Sequence, residues 1–335
     1  MKPQAIDLCA GAGGASIGFA SAGFDVLGVE SDDDAVETHR LQVGPCDQGD
    51  IREWHPHAGY RASVVGGGVP CQSFSQSGKR LGLLDPRGDL YLEVIRIARE
   101  NCAEAVWIEN SAGITTWRDA EGRQASTVIS DAFRENGWLV QSTVLDAAEY
   151  GVPQHRRRWI MVGFQERVHF DAFQWPEATH GAQLTARHPY VTVREALRPW
   201  LEDPDAPDAS TLDMPSPTIT AGGTRSGGRH TGGAEPLANA KPRKSLLGAL
   251  GKAGLLDRPA TTVSCDPRLS VAGHRVRQQA GAVRLLPVHC QVLQGFPAEM
   301  KFSGKKGSQH AQIGNAFPPP LADALAQSLW AALGF

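Results

Sequence analysis

No two cysteines in the 335-residue chain have the CxxC spacing, and the six that occur (9, 46, 71, 102, 265 and 290) follow no regular interval. A disulfide framework and a zinc site are therefore not expected, and free thiols fit a reducing cytoplasm. Long apolar runs are missing as well, so no membrane-spanning segment and no membrane partner are expected. The opening MKPQAIDLCAGAGG passes almost at once into a strand-and-glycine pattern, which leaves no room for a signal peptide. An excess of one charge is also lacking, since the formal net charge is −3. A total so near neutrality gives no sign of self-association, and a monomer is expected.

That total hides an asymmetry. Residues 214–310 hold 14 Lys/Arg against 4 Asp/Glu, so the rest of the chain is acidic. A basic segment beside an acidic body suggests a polyanion partner, although a solvated basic surface would have the same composition. Hydrophobic content of 41% with 21% charged residues is ordinary for a globular chain, and the length suits one large α/β domain with a smaller second one.

From residue 4 to 163 apolar strands alternate with helical stretches. The strands are expected at Ala5–Cys9, Val26–Glu30, Ala62–Gly66, Ala105–Glu109, Leu139–Leu145 and Trp159–Gly163. Helical segments are expected near 14–22, 33–42, 89–101 and 124–136. This alternation predicts a Rossmann-like, doubly wound, mostly parallel sheet with helices on both faces. Ligands of such sheets bind at the carboxyl ends of the strands.

The first strand runs into Asp7-Leu8-Cys9-Ala10-Gly11-Ala12-Gly13-Gly14, where glycines let backbone approach a ligand closely. Glu30, at the end of the second strand and about 20 residues past the first glycine, suits a ribose diol. Asp50-Ile51 would supply a third edge of that pocket. A nicotinamide enzyme would need a third glycine where Ser16 stands, and this tilts the reading toward S-adenosylmethionine. Another glycine turn, Gly66-Gly67-Gly68-Val69-Pro70-Cys71-Gln72, carries a thiol to the tip of a loop after a short apolar strand. That is a place for a nucleophile, although free cysteines are more often buried. The strand ending Glu109-Asn110-Ser111 should put a carboxyl group on the same edge.

With these segments in view the chain resembles the DNA cytosine-5 methyltransferases of bacterial modification systems over nearly its whole length. The family's motifs appear in order: DLCAGAGGASIGF at 7–19, GGVPCQSFSQSGK at 67–79, RGDLYLEVIRIAR at 87–99 and IEN at 108–110. YGVPQHRRRWIMVG at 150–163, LQGFP at 293–297 and QIGNAFPPPLADALA at 312–326 complete the set.

The resemblance implies that Cys71 attacks carbon 6 of a cytosine flipped out of the duplex. Glu109 would hold ring nitrogen 3 and the exocyclic amine, and Arg156 and Arg158 would support the flipped nucleotide. Cofactor contacts would come from Asp7, Cys9, Gly11, Gly13, Gly14, Glu30, Asp50, Ile51, Pro70, Leu90, Asn315 and Ala316. Gln72, Ser75, Ser77 and Lys79 would touch DNA from a closing loop over 73–87. Three departures stand out. Cys9 replaces a phenylalanine that packs on adenine, Phe317 replaces a smaller valine, and Arg284-Leu285-Leu286-Pro287-Val288-His289-Cys290 lacks the usual Thr and Glu.

Residues 165–283, rich in Pro, Gly, Thr and Arg, read as short strands and loops. They would form an inserted target-recognition domain, with 1–164 and 284–335 as the catalytic domain and a final helix from Pro320 to Leu333. Arg225, Arg229, Arg268 and Arg275 are expected near phosphate, as are Arg243, Lys244 and Arg277. LDMPSPTITAGGTR at 212–225 is echoed by LDRPATTVSCDPR at 256–268, either as two similar strand-turn units or as convergent turn chemistry. Double-stranded DNA is the implied partner, together with a restriction endonuclease for the same sequence. The alternatives are a transfer-RNA cytosine-5 methyltransferase of the same fold and a catalytically silent DNA-binding relative.

Overall fold

The computed structural model describes residues 2–69, 89–119, 121–181, 186–202, 259, 268–269 and 283–335. Seven strands make the main sheet: β1 (Gln4–Leu8), β2 (Asp25–Glu30), β3 (Cys46–Gln48), β4 (Ala62–Gly67), β5 (Ala105–Ser111), β6 (Leu139–Asp146) and β7 (Arg157–Phe164). Their order is β3-β2-β1-β4-β5-β7-β6. The short strand β3 was not foreseen, because three residues carry too little periodicity to register.

Helices α1 (Gly14–Ala22), α2 (Asp33–Gln42), α3 (Tyr91–Asn101) and α4 (Ala125–Glu135) fall where the pattern puts them. Their starts follow local chemistry. Asp32 caps α2 by accepting the Ala35 backbone N–H at 3.0 Å, and Asp33 and Asp34 lie in its first turn. One face of the sheet buries Ile6, Val65, Ile108 and Trp159 against Val94, Ile97, Ile129 and Phe133 of α3 and α4. The other buries Val64, Trp107, Ile160 and Val162 against Phe19 of α1 and Leu321, Leu325 and Leu329 of a long terminal helix.

β7 departs from the parallel rule. It runs antiparallel to both β5 and β6, with Ser111 opposite Arg158 and Ala105 opposite Phe164. A 3-10 turn at Ala147–Tyr150, closed by Gly151 at φ 83°, returns the chain so that β7 inserts between β5 and β6. The beginning of β7 therefore lies at the sheet edge where the parallel strands end. An antiparallel strand is the one geometry that carries its first residues to that edge.

Beyond β7, α5 (Arg167–Ala172) continues the same body, with Phe173 packed on Phe164 at a ring separation of 5.5 Å. Two short pairs follow, β8 (His180–Gly181) with β9 (His188–Pro189) and β10 (Arg268–Leu269) with β11 (Val283–Arg284). Small helices α6 (Val193–Ala196) and α7 (Arg198–Glu202) lie near α8 (Pro287–Leu293), where Val193 and Leu197 join Leu285, Cys290 and Leu293 in a third cluster. Ahead of α8, where the Thr and Glu expected from the resemblance are lacking, the chain makes bonds of its own. The Leu286 N–H donates to His289 Nδ1 at 3.4 Å, and the ring meets Trp200 of α7 edge-on at 5.6 Å. Burial pushes His289 down to about 4, so it braces this junction as a neutral ring.

The last two helices, α9 (Lys306–Asn315) and α10 (Pro319–Leu333), return to the first strands. Gly18 of α1 lies so close to α10 that a Cβ there would collide with the backbone at Ala322 and Asp323. Among the described residues no helix is long and apolar enough to cross a membrane. Gly18→Val should force α1 and α10 apart and destabilise the fold by roughly 1–3 kcal/mol, the usual cost of overpacking. Urea unfolding checks this, and an unchanged midpoint would refute the close contact.

Candidate active site and cofactor edge

Between β1 and α1 the backbone turns through left-handed conformations at Cys9 (φ 54°), Gly11 (φ 54°) and Gly13 (φ 86°). A side chain in that region is uncommon for cysteine, and the strained position holds the thiol against the cluster containing Ile51 and Leu90. The Gly11 N–H donates to Glu30 Oε2 at 2.9 Å, while Glu30 Oε1 accepts from the N–H groups of Ser31 at 2.7 Å and Asp32 at 2.9 Å. Glu30 is thus held in place by backbone rather than loosely solvated. A carboxylate has about four acceptor positions, so capacity remains for a hydroxyl.

A Cβ on Gly11 would meet nothing within 4 Å, which leaves the turn open on that side. Ile51 and Leu90 give an apolar wall, 4% and 7% exposed. Asp50 sits beside it, with Arg52 donating through Nε at 3.0 Å and Nη2 at 2.6 Å, and these bonds hold its carboxyl below the usual range. Gly13 caps α1 without a side-chain bond, and Gly14 packs against the Phe317 carbonyl, so Asn315 and Ala316 come to the same corner. A fixed carboxylate, an open glycine turn and an apolar wall fit a nucleoside with a free ribose diol, as S-adenosylmethionine has.

Asp7, expected among the cofactor contacts, is buried at 3% exposure. Its Oδ2 is 2.7 Å from Ser16 Oγ, which is 2.9 Å from His39 Nε2, and His39 Nδ1 is 3.2 Å from the Gly44 carbonyl oxygen. Burial raises Asp7 to about 7, opposed by Ser16, and burial lowers His39. One proton arrangement satisfies every member of this chain. Protonated Asp7 donates to Ser16, Ser16 donates to Nε2, and Nδ1–H donates to the carbonyl. Neither Ser16 nor His39 was singled out as part of such a chain from sequence, because two polar residues inside helices carry no spacing signal.

At the ends of β5 and β7, Arg158 Nε lies 2.6 Å from Glu109 Oε1, both side chains nearly buried. Burial raises the Glu109 carboxyl, with Arg158 and then Arg156 pulling it back, and burial lowers the Arg158 guanidinium. A Cβ on Gly68 would touch Glu109 Oε2 at 3.1 Å, and Asn110 Nδ2 donates to the Val69 carbonyl at 3.3 Å. The chain leading to Pro70 and Cys71 therefore runs past Glu109.

Arg156 is placed differently from Arg158. It is 1% exposed, and its Nη2 donates to the carbonyls of Gly314 at 2.9 Å and Ala316 at 3.0 Å. Gln154 donates to the Leu293 carbonyl at 3.1 Å and to Gln294 Oε1 at 2.7 Å, and Gln294 donates to the Ala316 carbonyl at 2.7 Å. These bonds tie the segment before β7 to the corner that carries Asn315. Pro70, Cys71, Gln72, Ser75, Ser77, Lys79, Arg225, Arg229 and Arg275 lie outside the described residues, as does the side chain of Arg268.

The raised Asp7 carboxyl gives a pH signature. The unfolded chain releases this proton near pH 4 and the folded chain near 7, so folding retains a proton between those values. Stability contributed by Asp7 accordingly falls as pH rises through that window. Asp7→Asn cannot titrate, so its melting temperature relative to the parent should climb between pH 5 and 8. Parallel thermal melts at the two pH values test this, and a constant difference would rule out the raised carboxyl.

Comparison with known proteins agrees with this geometry. The family model of the C-5 cytosine-specific DNA methylases matches residues 4–331. The chain is 31% identical to the type II methyltransferase M.NgoMIV of Neisseria gonorrhoeae over 338 residues, covering 99% of each protein. It is likewise 31% identical to M.NaeI of Lentzea aerocolonigenes, covering 98% of this chain and 75% of that one. Among solved structures the fold is similar to a putative DNA modification methyltransferase encoded within an E. coli prophage, with a TM-score of 0.63 at 21% identity over 99% of this chain and 100% of that one. It is also similar to the S. pombe Dnmt2 methyltransferase, with a TM-score of 0.65 at 16% identity over 100% of each chain. A sheet whose one reversed strand brings arginine to a buried glutamate, matched along almost its entire length, places this chain in the C-5 cytosine-specific DNA methylase family.

Proposed function

We propose that the protein methylates carbon 5 of a cytosine within a short duplex sequence, a reading supported by the C-5 cytosine-specific DNA methylase model over residues 4–331 and by relatives named type II methyltransferases. The observation that carries the assignment of roles is the buried Glu109–Arg158 pair, past which the chain to Cys71 runs. Glu30, Asp50, Ile51 and Leu90 at the glycine turn would hold S-adenosylmethionine, which would supply an electrophilic methyl group on a positively charged sulfur.

Cys71 adds as a thiolate to carbon 6 of the extruded cytosine, and the displaced electron pair makes carbon 5 nucleophilic. Glu109 faces ring nitrogen 3 and the exocyclic amine. Its raised affinity for a proton lets it share that proton as the ring gains electrons. Arg158 orients the carboxyl group and keeps a positive charge beside the developing negative one. Once carbon 5 carries the methyl group, a base removes its proton, and the electrons of that bond expel Cys71 and restore the ring. Arg156 acts as a positioning residue through the Gly314 and Ala316 carbonyls that it holds.

Residues 165–283 form the target-recognition domain inserted into a catalytic domain of 1–164 and 284–335, with Arg225, Arg229, Arg268 and Arg275 at the DNA backbone. Gln72, Ser75, Ser77 and Lys79 meet the DNA from the loop after Cys71. The protein works as a monomer in the cytoplasm, where its DNA lies, alongside a nuclease that cuts the same sequence.

Cys71→Ala should abolish methyl transfer while binding to duplex DNA survives. In parallel, a duplex with 5-fluorocytosine at the target should become covalently attached to the parent protein and not to the variant. Retained turnover in Cys71→Ala would end the nucleophile assignment. Methyl transfer to transfer RNA instead of duplex DNA would overturn the substrate.

Glu109→Gln should lose about 10²- to 10⁴-fold in turnover, the usual worth of a general acid. Single-turnover methyl transfer measures it, and a loss below about tenfold would remove Glu109 from proton transfer.

A further inference from the structure

Against the glycine turn packs a buried side chain to which the reaction above gives no task. His39, on α2, is fully buried, and its ring meets three elements at once. A Cβ on Gly13 of the turn would stand 2.9 Å from His39 Cδ2, and one on Gly28 of β2 would stand 2.6 Å from His39 Nε2. Both positions must lack a side chain for the ring to lie there. The third element is α1, which Ser16 joins to the ring.

Polar bonds fix the ring in this slot. Nε2 is 2.9 Å from Ser16 Oγ, which is 2.7 Å from Asp7 Oδ2, and Nδ1 is 3.2 Å from the Gly44 carbonyl oxygen. Asp7 lies opposite Gly28 in the pairing of β1 with β2. The network therefore joins the strand before the turn, the helix after it and the strand that ends in Glu30. Burial lowers His39, which leaves a neutral ring with one nitrogen to donate and one to accept. An apolar side chain would fill the slot but leave Ser16 and Asp7 short of a partner, and buried networks are rigid only when every member is satisfied.

This placement bears on the cofactor. Two bonds join the turn to β2 directly, from the Ala10 N–H to the Val29 carbonyl at 3.1 Å and from the Gly11 N–H to Glu30 Oε2 at 2.9 Å. His39 is the packed body that sets how far Gly13 stands from Gly28, two residues before Glu30. A nucleoside that must reach the turn and the Glu30 carboxylate together needs that separation fixed in advance. Fixing it in the free protein spares the ordering cost that binding would otherwise carry.

We propose that His39 is a positioning residue for the cofactor. Through its bond to Ser16 and its packing on Gly13 and Gly28, it holds the glycine turn at the distance from Glu30 that S-adenosylmethionine requires. The proposal rests on the reading of this corner as the cofactor site. It goes beyond that reading by naming a residue that acts on the cofactor only through the turn.

The test is S-adenosylmethionine binding by the full-length protein, measured by calorimetry beside methyl-transfer kinetics and thermal melts. His39→Gln puts an amide oxygen where Nε2 stands and keeps the link to Ser16. His39→Asn puts an amide nitrogen where Nδ1 stands and keeps only the bond to Gly44. His39→Gln should bind the cofactor within about threefold of the parent, while His39→Asn and Ser16→Ala should bind about tenfold or more weakly. At saturating cofactor the two weakened variants should keep kcat within about threefold, so that the loss appears in KM for the cofactor, because Glu109 and Arg158 belong to other strands. Parental affinity in His39→Asn and Ser16→Ala would overturn the positioning role. Equal weakening in His39→Gln and His39→Asn would also overturn it, by showing that any change in the slot has the same effect. Ser16→Ala leaves the ring in place and decides the matter alone if a His39 variant does not fold. Failure of the parent itself to bind S-adenosylmethionine would instead strike the reading of this corner as the cofactor site.

Discussion

A carboxylate and a guanidinium taken out of water together set the terms for this fold. Removing either ion from solvent is expensive, and only close, well-aligned contact offsets the penalty. Arg158 and Glu109 achieve that contact because β7 runs against β5 and the two strands pair in one register. A shift of one residue would turn Arg158 to the opposite face, where α3 and α4 pack, and leave Glu109 buried without its partner. The reversed strand is therefore the element that assembles the reactive edge.

The same region is tied to the cofactor corner by bonds from two amides and a guanidinium to backbone carbonyls. Gln154, Arg156 and Gln294 converge on the carbonyls of Leu293, Gly314 and Ala316, so three stretches far apart in the chain share one set of bonds. Where the Gly14 backbone meets Phe317 and Gly18 meets α10, there is no room for slack. Displacement of the terminal helices would thus move Asn315 and Ala316 together with the start of β7. The two halves of the site are mechanically one piece, although the chain between them includes the whole basic segment.

Much of this was legible before any coordinates. Buried strands with few polar interruptions and helices with clear apolar stripes gave boundaries that differ by one or two residues from those observed, as at Leu139–Asp146 and Ala125–Glu135. The glycines and Glu30 were readable because close backbone approach restricts residue type. Strand direction was not, since a buried strand has the same composition whichever way it runs, and β7 shows it. The separate fates of Arg156 and Arg158 were equally invisible. Both belong to one motif, and the structure alone distinguishes a guanidinium that holds carbonyls from one that meets a carboxylate. Asp7, Ser16 and His39 are 9 and 23 residues apart in successive steps, so only folding shows them as one chain of bonds.

At each of the three departures from the expected family pattern, packing with neighbouring residues is in place in this chain. Phe317, larger than the expected valine, continues a stack in which Trp107 lies 5.9 Å from it and Phe19 lies 5.2 Å from Trp107. His289 accepts from the Leu286 N–H through Nδ1 and adds a ring contact to Trp200. Cys9 gives up a ring, and its neighbours Ile51 and Leu90 already belong to a large buried cluster, so the apolar wall persists behind it. In each case the neighbour, and not the substituted residue, fixes what the position must do.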